Sequence, residues 1–301
     1  MMSLFQKQET TKDKFLNGKP ITDNFVKIAL RHIGYRFLIN EAKKRITYKI
    51  VRENTLNTYK GHPTIFVVNH YSSQDIPIIT NEIKKHAYIL VGKQSLENID
   101  NLFFNLYGSI FVDREDTKNK KNEPSDTSLS KVAMEEYLKK RQNLIVFPEG
   151  TWNLEDALLL LMMKWGIIDI AKDCNAQIVP TMLFYDRDKM ECHIEYAEPV
   201  LVTENCDKKE VITSIRDSIA TMIWYCIEKR EPLVRKDLNI EKLREEHRRV
   251  LKEYQKLDWE KEEKVIFKDE PNPEEVFDKI KKLELRKETA FLFNKNTKGR
   301  W

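Results

Sequence analysis

The sequence is poor in glycine and cysteine, and it contains no long apolar run. Only 8 of its 301 residues are glycine, which excludes a collagen-like chain. The longest apolar run, residues 157–163, is far shorter than the roughly 20 residues that span a bilayer. No charged-then-apolar leader opens the chain. The sequence therefore predicts neither a transmembrane helix nor a secretory signal.

Cysteine is equally sparse. The four cysteines are separated by 18, 14 and 20 residues and form no CxxC pair: Cys174, Cys192, Cys206 and Cys226. This spacing fits neither a zinc site nor the disulfide framework of a small secreted domain. We therefore expect no metal site, and we expect a reducing, cytoplasmic compartment.

Hydrophobic residues make up 41% of the chain and charged residues 33%, which is enough apolar material for a core and excludes a disordered chain. The charge is uneven. Residues 1–60 carry 13 Lys and Arg against 5 Asp and Glu (+8), residues 61–232 carry 20 against 27 (−7), and residues 233–301 carry 19 against 16 (+3). We predict a basic amphipathic segment (1–60), a central domain (61–232) and a charged helical extension (233–301).

In the central domain, short apolar stretches alternate with helical periodicity. The stretches predict strands over 64–69, 88–92, 109–113, 143–147, 177–185 and 192–197, and the periodicity predicts helices over 76–85, 96–106, 129–140, 154–172 and 208–228. This alternation indicates an α/β sheet with helices on its faces.

The amino-terminal segment contains one helical stripe of apolar residues, followed by the basic residues 43–45: Val26, Ala29, Leu30, Ile33 and Phe37. Two interpretations stay open with about equal weight. The helix packs its apolar face against the domain, or it lies on an anionic membrane.

After Pro232 the composition becomes charge-dense and helical. One apolar stripe runs through residues 243–257, and a second helix begins after Asn272 and Pro273, a capping residue followed by proline. We expect a helical hairpin that packs on the core or pairs with another subunit.

Asn69 and His70 follow the apolar stretch 65–68, and Asp75 comes five residues after His70. Residues five apart on one helix lie about 140° from each other. The pair meets only if His70 lies in the turn after a strand and Asp75 begins the next helix, as Pro77 suggests. The carboxylate would then fix the imidazole tautomer and leave the other nitrogen to accept a proton. The alternative is a helix-capping Asp75 and a hydrogen-bonded His70 without catalytic function.

A second turn, Phe-Pro-Glu-Gly-Thr at residues 147–151, follows the apolar stretch 144–147. A glycine-containing turn at the carboxyl end of a strand can bring backbone N–H groups close to an anion. The alternative is an ordinary strand-to-helix turn that uses Gly150 for its shape.

Five segments, in this order, resemble the glycerolipid acyltransferase superfamily, and most closely its lysophosphatidic acid acyltransferase branch. They are HxxxxD at 70–75, KxxL at 93–96, GxxFxxR at 108–114, FPEGT at 147–151 and IVP at 178–180. Lys164-Trp165-Gly166 is also similar to a lysine-and-glycine step of the family. The resemblance covers about residues 61–200 and implies an α/β fold with a mixed sheet flanked by helices.

The resemblance implies an O-acyltransferase of phospholipid biosynthesis, without a bound cofactor. It would move a fatty acyl group from acyl-CoA or acyl-ACP (acyl carrier protein) to a lysophospholipid hydroxyl, above all that of 1-acylglycerol-3-phosphate, giving phosphatidic acid. His70 would be the general base and Asp75 would orient it, so no acyl-enzyme is needed.

Two cations and one turn would bind the acceptor. The resemblance implies that Arg114, with Lys93, contacts its phosphate, for which a planar guanidinium is well suited. Glu149, Gly150 and Thr151 would shape the acceptor site. For both cations the alternative is a surface salt bridge.

The sequence departs from the family at Trp152, where the family has arginine. An indole offers one N–H donor in place of a bidentate cation, so phosphate binding would depend on Arg114, Lys93, Lys164 and backbone donors. Trp152 would line a substrate pocket or pack in the core.

Three alternatives remain beside the phosphatidate-forming enzyme. The acceptor could lack a phosphomonoester, because of Trp152, or the chain could be a catalytically silent membrane- or protein-binding module. A nucleic-acid partner is the weakest, because no binding motif accompanies the basic segment.

We expect a cytoplasmic enzyme, peripheral on the inner face of an anionic membrane, which residues 1–60 would contact.

Overall fold

The computed structural model describes residues 9–92, 98–113, 125–153, 158–187 and 189–230, with residues 241 and 245. The predicted extension 233–301 therefore lies outside the described residues, apart from 241 and 245, and so do Lys93 and Arg114.

The described helices are α1 (Thr11–Leu16), α2 (Phe25–Lys43), α3 (Asp75–Glu82), α4 (Asn98–Tyr107), α5 (Asp126–Lys139), α6 (Gly166–Asp173) and α7 (Lys208–Glu228). The strands are β1 (Lys49–Arg52), β2 (Thr64–Val68), β3 (Ala87–Gly92), β4 (Ser109–Val112), β5 (Asn143–Val146), β6 (Gln177–Asp186), β7 (Glu191–Tyr196) and β8 (Val200–Leu201). None of the described helices is long and apolar enough to cross a membrane.

The described strands form one mixed sheet in the order β1-β7-β6-β2-β5-β3-β4, with β8 on β6. The central strand β2 pairs in parallel with β5 on one side and β6 on the other, whereas β7 and β8 run antiparallel to β6. All five residues of β2 are buried, as expected for a strand that is covered on both faces. The carboxyl ends of β2, β5 and β6 therefore meet at one edge of the sheet.

Two apolar cores lie on opposite faces of this sheet. On one face, α5, α6 and α7 cover the strand residues Ile65, Val67 and Leu144. On the other face, α2, α3 and α4 cover the strand residues Phe66 and Val68. Successive residues of β2 thus serve different cores, because side chains alternate across a strand. The predicted α/β fold with a mixed sheet flanked by helices is confirmed.

The predicted strands and the helices over 76–85, 96–106, 129–140 and 208–228 are found within a few residues of their predicted bounds. The prediction of one helix over 154–172 is wrong for residues 158–165, because α6 begins only at Gly166. Backbone groups of this stretch form hydrogen bonds with side chains outside it. The Leu161 N–H donates to the Glu149 carboxylate, and the carbonyl oxygens of Leu160 and Leu161 accept from Arg216.

The predicted helix over 26–37 lies inside α2, but its apolar stripe is not buried. The buried residues of α2 are Ile28, Tyr35, Ile39 and Ala42. The large apolar side chains of the opposite side are between 62% and 78% exposed: Phe25, Val26, Leu30, Ile33 and Phe37. In the described part of the chain, α2 thus packs through one side and presents these five side chains, the exposed α2 stripe, to the surroundings.

Residues before position 60 belong to the same architecture. β1 pairs with β7 and is an outermost strand of the sheet. Asp23, just before α2, accepts hydrogen bonds from Arg31 (2.6 Å) and from the hydroxyl of Tyr88 on β3 (3.0 Å). Burial alone would raise the pKa of Asp23, but the hydrogen bond and charge of Arg31 outweigh it and lower the pKa to about 2. The sheet thus includes residues on both sides of the predicted boundary at 60.

Gly108 lies between α4 and β4, where the chain passes this cluster. Its φ is +112°, and a Cβ at this position would lie 2.9 Å from Cε1 of Tyr88 and 3.0 Å from Cδ of Arg31. Both the backbone conformation and the close approach of the two side chains thus require glycine. The packing at this position therefore explains why the GxxFxxR segment begins with glycine.

We predict that Gly108→Ala lowers the free energy of unfolding by ~1–3 kcal/mol, because an L side chain is strained at this φ and overlaps Tyr88. Urea unfolding measures the change. The matched control is Gly34→Ala in α2, where no atom lies within 4 Å of the added Cβ. That variant should be as stable as the wild type or up to ~1 kcal/mol more stable. Equal stability of the two variants would contradict the packing account.

Candidate active site

The loop after β2 is fixed by a side chain that bridges two parallel strands. The Asn69 side-chain amide donates to the carbonyl oxygen of Leu183 on β6 (2.9 Å), and its oxygen accepts from the Leu183 N–H (2.8 Å). Asn69 is buried, so both groups exchange water for a defined partner. The next residue, His70, therefore leaves the sheet in a fixed direction at the carboxyl end of β2.

Asp75 begins α3 and is completely buried. Its Oδ2 lies 2.7 Å from Nδ1 of His70 and accepts the backbone N–H groups of Tyr71 (2.5 Å) and Ser72 (2.9 Å). Its Oδ1 accepts the hydroxyl of Tyr185 on β6. Because Oδ2 acts as an acceptor, Nδ1 of His70 carries a proton and Nε2 carries the lone pair. The predicted meeting of His70 and Asp75 is present in the structure.

The turn after β5 packs on the imidazole. Phe147 stacks on His70 with ring centres 4.3 Å apart, and Trp152 meets it edge-on at 6.0 Å. The Asn153 N–H donates to the carbonyl oxygen of His70 (2.7 Å). The side chain of His70 is 16% exposed. The histidine is thus held through its backbone and by two aromatic side chains, while part of the ring stays accessible.

Glu149 connects this turn to its neighbours. It is 2% exposed, and its two carboxylate oxygens accept the N–H of His70 (2.8 Å) and the N–H of Leu161 (2.7 Å). Burial raises the pKa of Glu149 to about 7, although these two hydrogen bonds act in the opposite direction. Gly150 follows with φ of +78°, which lets the chain turn sharply behind the carboxylate.

Among the predicted site residues, the structure brings together six: His70, Asp75, Glu149, Gly150, Thr151 and Trp152. Thr151 is buried in the turn beside Glu149. Lys164 is exposed, and its backbone N–H donates to the carbonyl oxygen of Pro148. Phosphate contacts of Lys93, Arg114 and Lys164 stay predictions.

A cavity of about 420 Å³ opens beside the histidine. The polar residues of its lining include His70, Tyr71, Glu149, Asn153, Arg187 and Arg230. The apolar residues include Leu158, Leu159, Leu183, Ile223 and Ile227. An amphipathic substrate could therefore place a polar group beside the imidazole and a hydrocarbon chain along α7.

Sequence patterns did not indicate three further residues at this edge, Tyr185, Arg187 and Arg230. Tyr185 and Arg187 lie at and just after the carboxyl end of β6, beyond the IVP segment, and Arg230 follows α7. The available signal was the length of β6, because a strand parallel to β2 that continues six residues beyond Pro180 must bring its carboxyl end to the same edge.

One further group of metal-ligand side chains lies elsewhere. The ligand atoms of Glu53, His193 and Cys226 are all within 4.8 Å of one another. Glu53 already pairs with His193 (2.6 Å) and with Lys229 (3.1 Å), and burial raises the pKa of Cys226 to about 11. The carboxylate already has Lys229 and the His193 ring as partners, and the thiol favours its protonated form, so we interpret this group as a network of hydrogen bonds and one ion pair.

Comparison with known proteins finds a similar class of domain. Residues 49–183 match the family model described as Acyltransferase. The matched part contains β1 to most of β6 and the His70 and Asp75 pair.

Particular relatives agree with this class. A 1-acyl-sn-glycerol-3-phosphate acyltransferase of Saccharomyces cerevisiae is 33% identical over 137 residues, which are 45% of this chain and 42% of that protein. A second curated relative, from Caenorhabditis elegans, is 28% identical over 169 residues, 54% of this chain and 60% of that protein. The chain thus spans less than two thirds of the length of either curated relative.

The fold is similar to the crystal structure of the 1-acyl-sn-glycerophosphate (LPA) acyltransferase PlsC from Thermotoga maritima. The TM-score is 0.52 at 17% sequence identity, and the match covers 69% of this chain and 88% of that chain. At this identity, the similarity shows a shared fold.

We predict a pH-dependent contribution of Glu149 to stability. Its ordinary pKa of 4.5 rises to about 7 in the folded protein. Between these values the folded protein binds more protons than the unfolded chain, so the free energy of unfolding falls as pH rises, by ~3 kcal/mol from this group. Glu149→Gln cannot titrate at this position.

The measurement is urea unfolding of the wild type and of Glu149→Gln between about pH 4 and pH 8. All other titrating groups are shared, so their effects cancel in the difference. The excess free energy of unfolding of the wild type over Glu149→Gln should shrink as pH rises through this window and stay constant above it. A difference that is constant with pH would contradict the account.

Proposed function

We propose that the chain transfers a fatty acyl group from a thioester, acyl-CoA or acyl-ACP, to the hydroxyl of a lysophospholipid, above all 1-acylglycerol-3-phosphate. The observation that carries this proposal is the His70 and Asp75 pair at the opening of the cavity. Nδ1 of the imidazole is fixed 2.7 Å from a buried carboxylate, and polar and apolar side chains both line the cavity. The names of the curated relatives favour the same acceptor.

The mechanism follows from the tautomer. Nε2 of His70 accepts the proton of the acceptor hydroxyl while the hydroxyl oxygen attacks the thioester carbonyl carbon. The new ester C–O bond forms, the C–S bond breaks, and the proton passes from the imidazolium to the departing thiolate. Asp75 stabilises the imidazolium charge during this step. This step is balanced in atoms and electrons without a covalent acyl-enzyme or a metal.

Trp152 supports a second acceptor class. It contacts His70 edge-on and stands where the resemblance implies arginine, so an acceptor without a phosphomonoester would lose less binding energy here. A catalytically silent binding module is the remaining alternative, and the assay below decides it.

We predict that His70→Ala lowers the rate of thiol release from an acyl thioester in the presence of lyso-lipid by ~10²–10⁴-fold, because the general base is lost. The acceptor panel contains 1-acylglycerol-3-phosphate, a lysophospholipid with a phosphodiester and a monoacylglycerol. The control is His62→Ala, since His62 lies before the amino end of β2, at the opposite edge of the sheet. A wild type that is inactive with every acceptor, or a fully active His70→Ala, would contradict the proposal.

Tyr185 is a positioning residue in this mechanism, because it holds the Oδ1 atom of Asp75. We predict that Tyr185→Phe lowers kcat by ~10–100-fold, as losses of such orienting hydrogen bonds commonly do, and leaves both KM values within about twofold. The control is Tyr196→Phe, a buried tyrosine of β7 in the same apolar core. Parallel losses in kcat for both variants would indicate a packing effect only.

We also propose that α2 contacts an anionic membrane on its cytoplasmic side. Support comes from the exposed α2 stripe, which lies opposite the packed side of the helix. Basic residues 43–45 follow it. The next segment reaches the active-site loop, because the Thr47 N–H donates to the side chain of Gln74 (3.0 Å). Membrane contact through α2 would thus bring lipid close to His70.

We predict that wild-type protein floats with vesicles that contain anionic lipid and that salt weakens this binding. The double substitution Leu30→Asp and Ile33→Asp should reduce binding by at least ~10-fold, because it removes apolar area from the contact and adds negative charge. The control is Val132→Asp, an exposed apolar position of α5 on the other face of the sheet. Equal flotation of the α2 and α5 variants would rule out this contact.

A further inference from the structure

Arg187 comes from the end of β6 into the cavity beside the histidine. β6 runs parallel to β2 and ends at Asp186, so residue 187 lies at the same edge as His70. The guanidinium carbon of Arg187 is 5.0 Å from the ring centre of Tyr71, the residue after His70. Arg187 and His70 line the same cavity. A cation thus lies close to the His70 and Asp75 pair, just beyond the strand that contains the IVP segment.

The carboxylate that precedes Arg187 in the chain is paired with a second arginine of the cavity lining. Asp186 is buried and accepts two hydrogen bonds from Arg230, at 3.1 and 2.7 Å. Burial alone would raise the pKa of Asp186, but hydrogen bonds from the Lys189 N–H and from Arg230 outweigh it and lower the pKa. Asp186 is thus paired with Arg230, and the side chains of Arg187 and Arg230 both line the cavity.

The guanidinium of Arg187 is also oriented before any ligand arrives. Tyr71 packs between Arg187 and Tyr185, with a distance of 5.0 Å between the two tyrosine ring centres. Tyr71 is itself fixed through its N–H, which donates to Asp75. A guanidinium held against an aromatic ring loses less freedom on binding, and its planar fork matches two oxygens of a phosphate.

We propose that Arg187 binds a phosphate group of a substrate and supplies the cation that the resemblance implies at position 152. This proposal rests on the acyl-transfer function proposed above and adds the residue that recognises the phosphate. The ligand chemistry is a phosphate ester. It belongs either to the lysophospholipid acceptor or to the CoA or phosphopantetheine part of the donor, and the experiment separates these sources.

The experiment compares Arg187→Gln and Arg187→Lys with Lys189→Gln. Lys189 is an exposed cation two residues further along the same turn and is not part of the cavity lining, so it controls for net charge. Each variant is assayed with two acceptors, 1-acylglycerol-3-phosphate and monoacylglycerol, and two donors, acyl-CoA and the phosphate-free acyl-N-acetylcysteamine. Thermal unfolding verifies that each variant is folded.

If Arg187 binds the acceptor, Arg187→Gln should raise KM for 1-acylglycerol-3-phosphate by ~10–100-fold and leave KM for monoacylglycerol unchanged. If it binds the donor, the same increase should appear in KM for acyl-CoA and not for acyl-N-acetylcysteamine. Arg187→Lys should retain part of the affinity, because it keeps the charge without the fork. KM values within about twofold of those of Lys189→Gln, for all four substrates, would overturn the proposal.

Failure of the proposed function gives a different result, because the wild type would then transfer no acyl group in any combination. The phosphate site is tested separately by calorimetric titration with sn-glycerol 3-phosphate and with CoA. At least ~10-fold weaker binding of either ligand by Arg187→Gln than by Lys189→Gln would support the site. Equal binding by both variants, or no binding by the wild type, would overturn it.

Discussion

The buried carboxylate of Asp75 is the constraint on which the active site depends. It accepts hydrogen bonds from the His70 ring, from the N–H groups of Tyr71 and Ser72, and from the Tyr185 hydroxyl. Burying a carboxylate away from water costs free energy unless hydrogen-bond donors surround it. Four donors from two segments satisfy it here, and in doing so they fix the loop after β2, the start of α3 and the end of β6 relative to one another.

The parallel pairing of β2 with β5 and β6 explains why three distant segments converge on this carboxylate. Each strand ends at the same edge, so the residues that follow them become neighbours: His70 after β2, Glu149 after β5 and Arg187 after β6. Glu149 accepts the His70 N–H and Asn69 bridges to Leu183, which connects all three ends. The antiparallel strand β7 lies outside this arrangement, beyond β6. The sheet positions the loops, and the loops carry the side chains of the proposed active site.

Sequence patterns predicted most of this architecture because local signals and tertiary packing agree in it. The run of buried residues in β2 and the spacing of α7 are examples, since apolar periodicity there matches the cores. The stretch 158–165 could not be predicted, because its backbone bonds to Glu149 and Arg216, which are distant in sequence. Tyr185 was missed for the same reason: a tyrosine at the end of a strand has no local pattern that reveals a carboxylate 110 residues earlier.

The most direct test of the account is a double-mutant cycle between His70 and Asp75, measured as thiol release from acyl thioester with lyso-lipid. In the proposed mechanism, Asp75 acts on the reaction through the imidazole of His70. Asp75→Asn should therefore lower the rate by ~10²–10⁴-fold in the wild type and by less than about threefold when His70 is already alanine. An equal loss in both backgrounds would contradict the claim that the carboxylate works through His70.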